Sequence, residues 1–336
     1  MPGPAEFEKM MSMITGFWVS QTVGAAADLS IAEHLEGGQS TAEEISTRES
    51  SDPGKTFRLM RACAALGLLS YNSDNDTFTG TVLLKTLQKG GHNSLREWAL
   101  VQTSPGHWLP WGKFTDAVRK GQPQTHEVLG DNIFAYFSEH PDEASLFSSA
   151  MTNLSTPVIR EAVAVIDTQD VGTAVDIGGA NGTFVLELMT ANPTLQGVVL
   201  DLPHVIPGAE AQAQLRGLSD RFIGTQGDFF DSIPAGDLYL LKYILHDWDD
   251  GACVKILTNC RRNMNPGARL VVVDMLLGKV GESGIGTLMD MNMIAMVTGQ
   301  ERDLKEFDHL FSLAGLRRTK LTSVQQPYHV IEAVAD

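Results

Sequence analysis

Basic residues are scarce: 25 lysines and arginines face 41 aspartates and glutamates, which leaves a net charge of −16 over 336 residues. Nucleic acid and anionic membrane repel such a chain, so the expected partner is a small, weakly charged molecule, with no nucleic acid and no membrane. Cysteine is scarce too. Cys63, Cys253 and Cys260 form no CxxC and have no histidine pattern beside them, so they suggest no metal and read as buried thiols of a reducing compartment. No uncharged apolar stretch approaches the roughly 20 residues that span a bilayer. Residues 1–13 carry Glu6 and Glu8 and lack a basic region or cleavage site, so no secretion is implied and a soluble, cytoplasmic protein is expected. Missing as well is the dinucleotide fingerprint GxGxxG, because Ala180 stands two places after Gly178 and Asn181 two places after Gly179.

What is present suffices for two cores, since 43% of the chain is apolar. From Phe7 to about His34, apolar residues including Met10, Ile14, Phe17, Trp18 and Val23 recur at mostly helical spacing, with small residues at Gly24 to Ala27. Ser40 and Glu43 read as a capping box that opens a short helix, and a second helix is expected from about Pro53 to Leu66. Leu68 to Thr79 reads as a hairpin with a polar tip. Helix, helix, hairpin is the order of a winged-helix unit. Its apolar leading helices have no evident partner within so small a unit, which points to an interface.

Residues 95–164 read as a helical section rich in aromatic groups, among them Trp108, Trp111 and Phe134, for which a place in the helical core is at least as good a reading as any functional one. Near Val171 the pattern changes. Strand-like runs at Ala174–Ile177, Gly197–Leu200, Leu238–Leu241 and Leu270–Val273 alternate with helical ones, which argues for a parallel sheet covered on both faces. Leu316–Val324 and His329–Val334 would close the chain as an antiparallel hairpin. The expected domains are therefore 1–94, 95–164 and 165–336.

Chemistry gathers in the last of these. Ala174 to Thr183 is a strand, a glycine turn and a helix start, where glycine permits close backbone approach and the helix supplies free N–H groups. The strand before Asp201 places a carboxylate where ribose hydroxyls could meet it, in either a nicotinamide or another nucleotide-like cofactor. Gly227-Asp228-Phe229-Phe230 offers an acid and an aromatic face for an adenine. The strand at Leu238–Leu241 runs into Lys242-Tyr243-Ile244-Leu245-His246-Asp247-Trp248, which sets His246 near the carboxyl end of a sheet strand, where α/β sheets bind ligands. A lone histidine there could simply belong to a helix-start loop capped by Asp249 or Asp250. Asp274, ending the next strand, and Glu301 could orient it.

These pieces, together with Asp176-Ile177-Gly178-Gly179, Leu200-Asp201-Leu202-Pro203-His204-Val205, Arg261 to Pro266 and Gly299-Gln300-Glu301-Arg302, occur in one order over nearly the whole chain. In this the chain resembles the metal-independent small-molecule O-methyltransferases, which include plant caffeate and flavonoid enzymes and bacterial natural-product tailoring enzymes. The resemblance implies a class I methyltransferase fold, with a Rossmann-like α/β sheet behind a helical, winged-helix-like dimerisation domain, and an intertwined homodimer. It implies S-adenosylmethionine as cofactor, with no metal. Gly178, Asp201, Leu202, Asp228, Phe229, Lys242, Trp248 and Ser155 would bind that cofactor. His246 would be the general base, flanked by Asp274 and Glu301, and Phe147, Met151, Asn292, Met293, Met296 and Asp247 would meet a hydroxylated aromatic acceptor. The methionine-rich run Met289 to Met296 suits a flat apolar pocket, although core packing would select the same residues.

Two other classes compete. A winged-helix regulator would use Lys55, Arg58 and Arg61, but Glu43, Glu44, Glu49 and Asp52 surround them and no basic face results. An NAD-dependent oxidoreductase would be expected to carry the missing glycine fingerprint.

Overall fold

The computed structural model describes residues 3–91 and 94–336, which form two compact units: Met1–Leu109 with Phe134–Leu154, and Pro110–Ile133 with Ser155–Asp336. No helix among the described residues is long and apolar enough to cross a membrane.

In the first unit, helices Pro4–Ile14, Gly16–Asp28 and Ile31–His34 precede β1 (Gln39–Ser40), helices Ala42–Arg48 and Pro53–Ala65, and the hairpin β2 (Leu69–Asn72) and β3 (Thr77–Gly80). The three strands pair in the order β1-β3-β2, the winged-helix arrangement. The capping box falls one residue later than the sequence suggested. Thr41 is the cap, accepting from the Glu44 backbone N–H at 3.2 Å, while Ser40 donates to the Glu44 carboxylate at 2.6 Å. Asp52 caps the next helix by accepting from Lys55 N–H at 2.8 Å, with Pro53 set where a missing N–H costs nothing. Ile31, Ile45, Met60, Cys63 and Phe78 fill the core. Gly24 explains the small-residue run, because a Cβ there would collide with Thr103 on helix Arg96–Thr103. The leading helix buries none of its own residues and leaves Phe7, Met10, Met13 and Ile14 exposed, followed by Phe17 and Trp18.

The second unit is built on seven strands: β4 (Thr173–Ile177), β5 (Gln196–Asp201), β6 (Phe222–Gln226), β7 (Gly236–Lys242), β8 (Met264–Met275), β9 (Leu316–Ser323) and β10 (Tyr328–Ala335). Their order is β6-β5-β4-β7-β8-β10-β9. The first five run parallel, and β10 pairs antiparallel with both β8 and β9. Alternate residues serve opposite cores: Val175, Ile177, Tyr239 and Leu241 pack on one face, and Ala174, Val199, Leu238 and Leu240 on the other. β6 escapes the sequence pattern because Phe222-Ile223-Gly224-Thr225-Gln226 is an edge strand without an apolar run; its Gly224 lets Ile206 of helix Ile206–Leu215 sit against the backbone. Strand order reverses at β4, with β5 and β6 on one side and β7 on the other. The crevice beyond the carboxyl ends of β4 and β7 is where such sheets bind ligands.

Candidate active site

β4 ends in a tight turn. Gly178 has φ +64°, donates its N–H to Leu200 O at 2.8 Å, and has so little space that a Cβ would lie 2.6 Å from Ile244 Cδ1. Any other residue would be strained in φ and would displace Ile244. Asp176, just before it, is buried and accepts from Val185 N–H at 3.3 Å at the start of helix Thr183–Ala191. Burial pushes its carboxyl up to about 7, against the pull of Lys242.

Asp201 terminates β5 with both oxygens engaged, accepting from Ala180 N–H at 2.8 Å and from Leu202 N–H at 2.7 Å. Its carboxylate therefore ties the turn after β4 to the end of β5. Asp228 accepts from Phe230 N–H at 2.8 Å, which turns the chain so that Phe229 and Phe230 meet Trp248, with ring centroids 6.0 and 4.8 Å away. Asn259, which the sequence did not single out, holds that turn by donating to the carbonyls of Phe229 and Phe230 at 3.0 Å each. Lys242, at the end of β7, lies over the Tyr243 ring at 4.2 Å. Burial lowers its pKa while Asp176, Asp274 and Asp247 draw it back up.

His246 occupies the single 3₁₀ turn Leu245–Asp247, and Asp249 caps the helix that follows through Ala252 N–H at 2.8 Å. Its Nδ1 lies 2.9 Å from Glu301 Oε1, a hydrogen bond, and 3.7 Å from Asp274 Oδ1, which is beyond one. On the other side of the ring, Nε2 is 3.6 Å from Asp247 Oδ1. Asp274 and Glu301 are 0% and 2% exposed, and Asp274 Oδ2 and Glu301 Oε2 have no hydrogen-bond partner. Burial opposes a charge on the imidazole, but Asp274, Asp247 and Glu301 together outweigh it and raise His246 to about 10. The same burial lifts Asp274 to about 7, with His246 pulling it down. An ordinary imidazole near 6.5 is thus not what this site holds. Tyr243, at φ +57°, stacks on Tyr328 at 5.1 Å and lies 6.0 Å from the His246 ring; neither tyrosine carried a signal in the sequence. The donor atoms of His246, Asp274 and Glu301 all fall within 4.8 Å of one another, close enough to share protons or to hold a cation.

Helix Ile285–Met296 joins this cluster through Asp290, which accepts from Glu301 N–H at 3.0 Å. It also carries Asn292, whose Oδ1 accepts from Trp111 Nε1 at 3.0 Å, and the buried Met293 and Met296. Phe147 and Met151 belong to the first unit, where Phe147 stacks on His107 at 5.7 Å and packs tilted against Phe137 at 5.0 Å. Ser155 is buried further along the same helix, Pro141–Val165, within the second unit.

An O-methyltransferase domain profile matches residues 111–317, and an O-methyltransferase dimerisation domain profile matches residues 11–87. The chain belongs to the O-methyltransferase family. It is similar to the O-demethylpuromycin-O-methyltransferase of Streptomyces alboniger, at 33% identity over 97% of this chain and 88% of that one. The solved structure of a mitomycin 7-O-methyltransferase superposes with a TM-score of 0.94 at 30% identity, covering 99% of this chain and 98% of the other. An O-methyltransferase from neocarzinostatin biosynthesis, solved with S-adenosylmethionine and 2-hydroxy-5-methyl naphthoic acid, superposes at 0.84 with 28% identity over 95% and 96% of the two chains. This chain is thus an S-adenosylmethionine-dependent O-methyltransferase of the natural-product tailoring type, with a class I sheet behind a dimerisation domain.

Proposed function

We propose that this enzyme methylates a hydroxyl of a small aromatic acceptor, with His246 as the general base. The hydrogen bond between His246 Nδ1 and Glu301 Oε1 at the carboxyl end of the sheet carries the reading. We read the Nδ1 proton as donated to Glu301, with Nε2 as the nitrogen that takes the acceptor's proton. Asp274 and Glu301 stabilise the imidazolium that results.

Bound at the ends of β4, β5 and β7, S-adenosylmethionine supplies an electrophilic sulfonium methyl group. The chain's own residues suit such a ligand: Gly178 makes the tight left-handed turn at the end of β4, Asp201 presents a carboxylate fixed by two backbone N–H groups, and Phe229 and Trp248 bring aromatic rings beside Asp228. We assign Leu202, Lys242 and Ser155 to the same ligand. Alignment of the acceptor oxygen can itself lower the barrier by up to roughly 7–11 kcal/mol, and we assign that task to Phe147, Met151, Asn292, Met293, Met296 and Asp247. The naphthoic acid in the neocarzinostatin relative supports an aromatic acceptor. We read the His246 cluster as proton-sharing and metal-free, because Glu301 already hydrogen-bonds the imidazole. Treatment with a strong chelator should then leave turnover unchanged, and a loss restored by a divalent metal would defeat that reading.

The raised proton affinity of His246 has a use. A phenol near 10 and an imidazole raised to about 10 exchange a proton with little free-energy change. The cost is that the neutral base is a minority species at neutral pH, so activity should climb with pH toward that value. A pH–rate profile of wild type and His246→Gln, with one phenol of known pKa, tests the role. The wild type should lead well below the phenol's pKa and the two should converge near it; equal rates throughout would refute the general base.

We also propose a homodimer formed through the N-terminal unit. The exposed Phe7, Met10, Met13, Ile14, Phe17 and Trp18 and the dimerisation-domain match support it. Light scattering at micromolar concentration should return twice the chain mass; a monomer would contradict it.

A further inference from the structure

Arg302 follows Glu301 directly, yet it points elsewhere. At 1% exposure it is among the largest fully buried side chains, and a guanidinium so placed needs several acceptors. It finds nearly all of them on one short stretch. Nη1 donates to Leu245 O at 2.8 Å, Nη2 donates to Trp248 O at 2.9 Å, and Nε and Nη2 donate to Asp250 Oδ1 at 3.1 and 2.8 Å. The two carbonyls bracket His246. Cys253 Sγ adds a bond to Leu245 O at 3.1 Å. Gly299 meets the same turn from below, since a Cβ there would collide with the backbone of His246, Asp247 and Trp248.

Arg302 is itself anchored to the strand that carries Asp274. It bridges in parallel to Leu276, and its carbonyl accepts from Leu277 N–H at 3.0 Å. Three separate pieces of chain, bearing Asp274, Glu301 and His246, therefore meet on one side chain and its backbone.

We propose that Arg302 is the positioning residue for His246, its guanidinium fork stapling the 245–250 turn to the segment that bears Glu301. This rests on His246 being the base. The fork explains the residue type: three acceptors in different directions suit a planar guanidinium, whereas a lysine ammonium would keep the charge and lose the geometry. The acids that raise His246 are Asp274, Asp247 and Glu301, and Asp250 is not one of them. Because Arg302→Lys keeps the charge, a change it makes in the imidazole acts through the geometry of the turn.

The test is a titration of the His246 imidazole by NMR in full-length, histidine-labelled enzyme saturated with S-adenosylhomocysteine, with His246→Gln identifying the signal. Arg302→Lys should weaken the Nδ1–H hydrogen bond and lower the titration midpoint by about one pH unit, a tenfold change in proton affinity. An unchanged midpoint and Nδ1–H resonance in the folded variant would overturn the proposal, whatever happens to Tm. If Arg302→Lys does not fold, Asp250→Ala decides: two of the fork's bonds are lost at a half-exposed partner, and the midpoint should move the same way by a smaller amount. A wild-type signal there would overturn it equally. This readout needs no acceptor, so an inactive base role, seen as equal rates for His246→Gln and wild type, is distinguishable from a failed positioning role.

Discussion

The two halves of the site handle their carboxylates in opposite ways. At the ends of β4 and β5, Asp201 has each oxygen bonded to a backbone N–H, and Asp228 Oδ1 accepts from Phe230 N–H. Around His246, Asp274 and Glu301 each keep one buried oxygen without a partner, and both acids lean on one imidazole. A saturated carboxylate is a fixed fixture that can hold a ligand without changing state. An unsaturated buried one is costly unless a proton or a cation sits near it, so its energy responds when the imidazole gains or loses a proton. This difference fits the proposed division, the first half for binding and the second for proton transfer, and mutations should separate them.

The largest separation is expected from His246→Gln. General-base contributions run about a hundred- to ten-thousand-fold, so kcat should fall by that order with one phenolic acceptor while calorimetric affinity for S-adenosylhomocysteine stays as in wild type. A parallel loss of cofactor affinity would show that the halves are not independent. Asp201→Ala should do the converse. Hydrogen bonds to a charged group are worth about 1.5–3 kcal/mol, so cofactor affinity should drop by about ten- to a hundredfold, with kcat at saturating cofactor little changed. Unaltered affinity in the folded variant would remove Asp201 from the cofactor's ribose.

The same contrast explains how far the sequence could be read. The binding half is local: strand, glycine turn and Asp201 lie within one βαβ unit, and the alternation of strand-like with helical runs already gave β4, β5 and β7. The proton-transfer half is assembled from residues 55 positions apart, and its members were legible by type and by resemblance but not by geometry. Nothing in the sequence says that Glu301 reaches the imidazole at hydrogen-bond distance while Asp274 stops at 3.7 Å. Nor does anything say that Arg302 grips the turn, that Asn259 holds Phe229, or that Tyr243 adopts a left-handed φ. Those depend on where strands end and on which backbone carbonyls point inward. β6 was silent for a different reason: half-buried at the sheet edge, it has no need of an apolar run.

The smallest overall effect, and the most informative, is expected from Asp274→Asn. Because Asp274 lies 3.7 Å from Nδ1 and makes no hydrogen bond to it, the substitution removes charge and leaves the Glu301 contact in place. Its carboxylate is one of three that raise His246 to about 10, so without it the imidazole should release its proton at lower pH. Two effects then oppose. Near pH 8 a larger fraction of His246 is neutral and ready to act, which raises the rate, but each neutral imidazole is a weaker base, which lowers it. Their near-cancellation should hold kcat at pH 8 within about tenfold of wild type, since general-base efficiency follows basicity only in part. The rising limb of the pH–rate profile should nevertheless move to lower pH, the direction that loss of a neighbouring negative charge requires. If the limb stays in place while kcat falls as far as in His246→Gln, Asp274 is needed for the shape of the site and its charge does not tune the base.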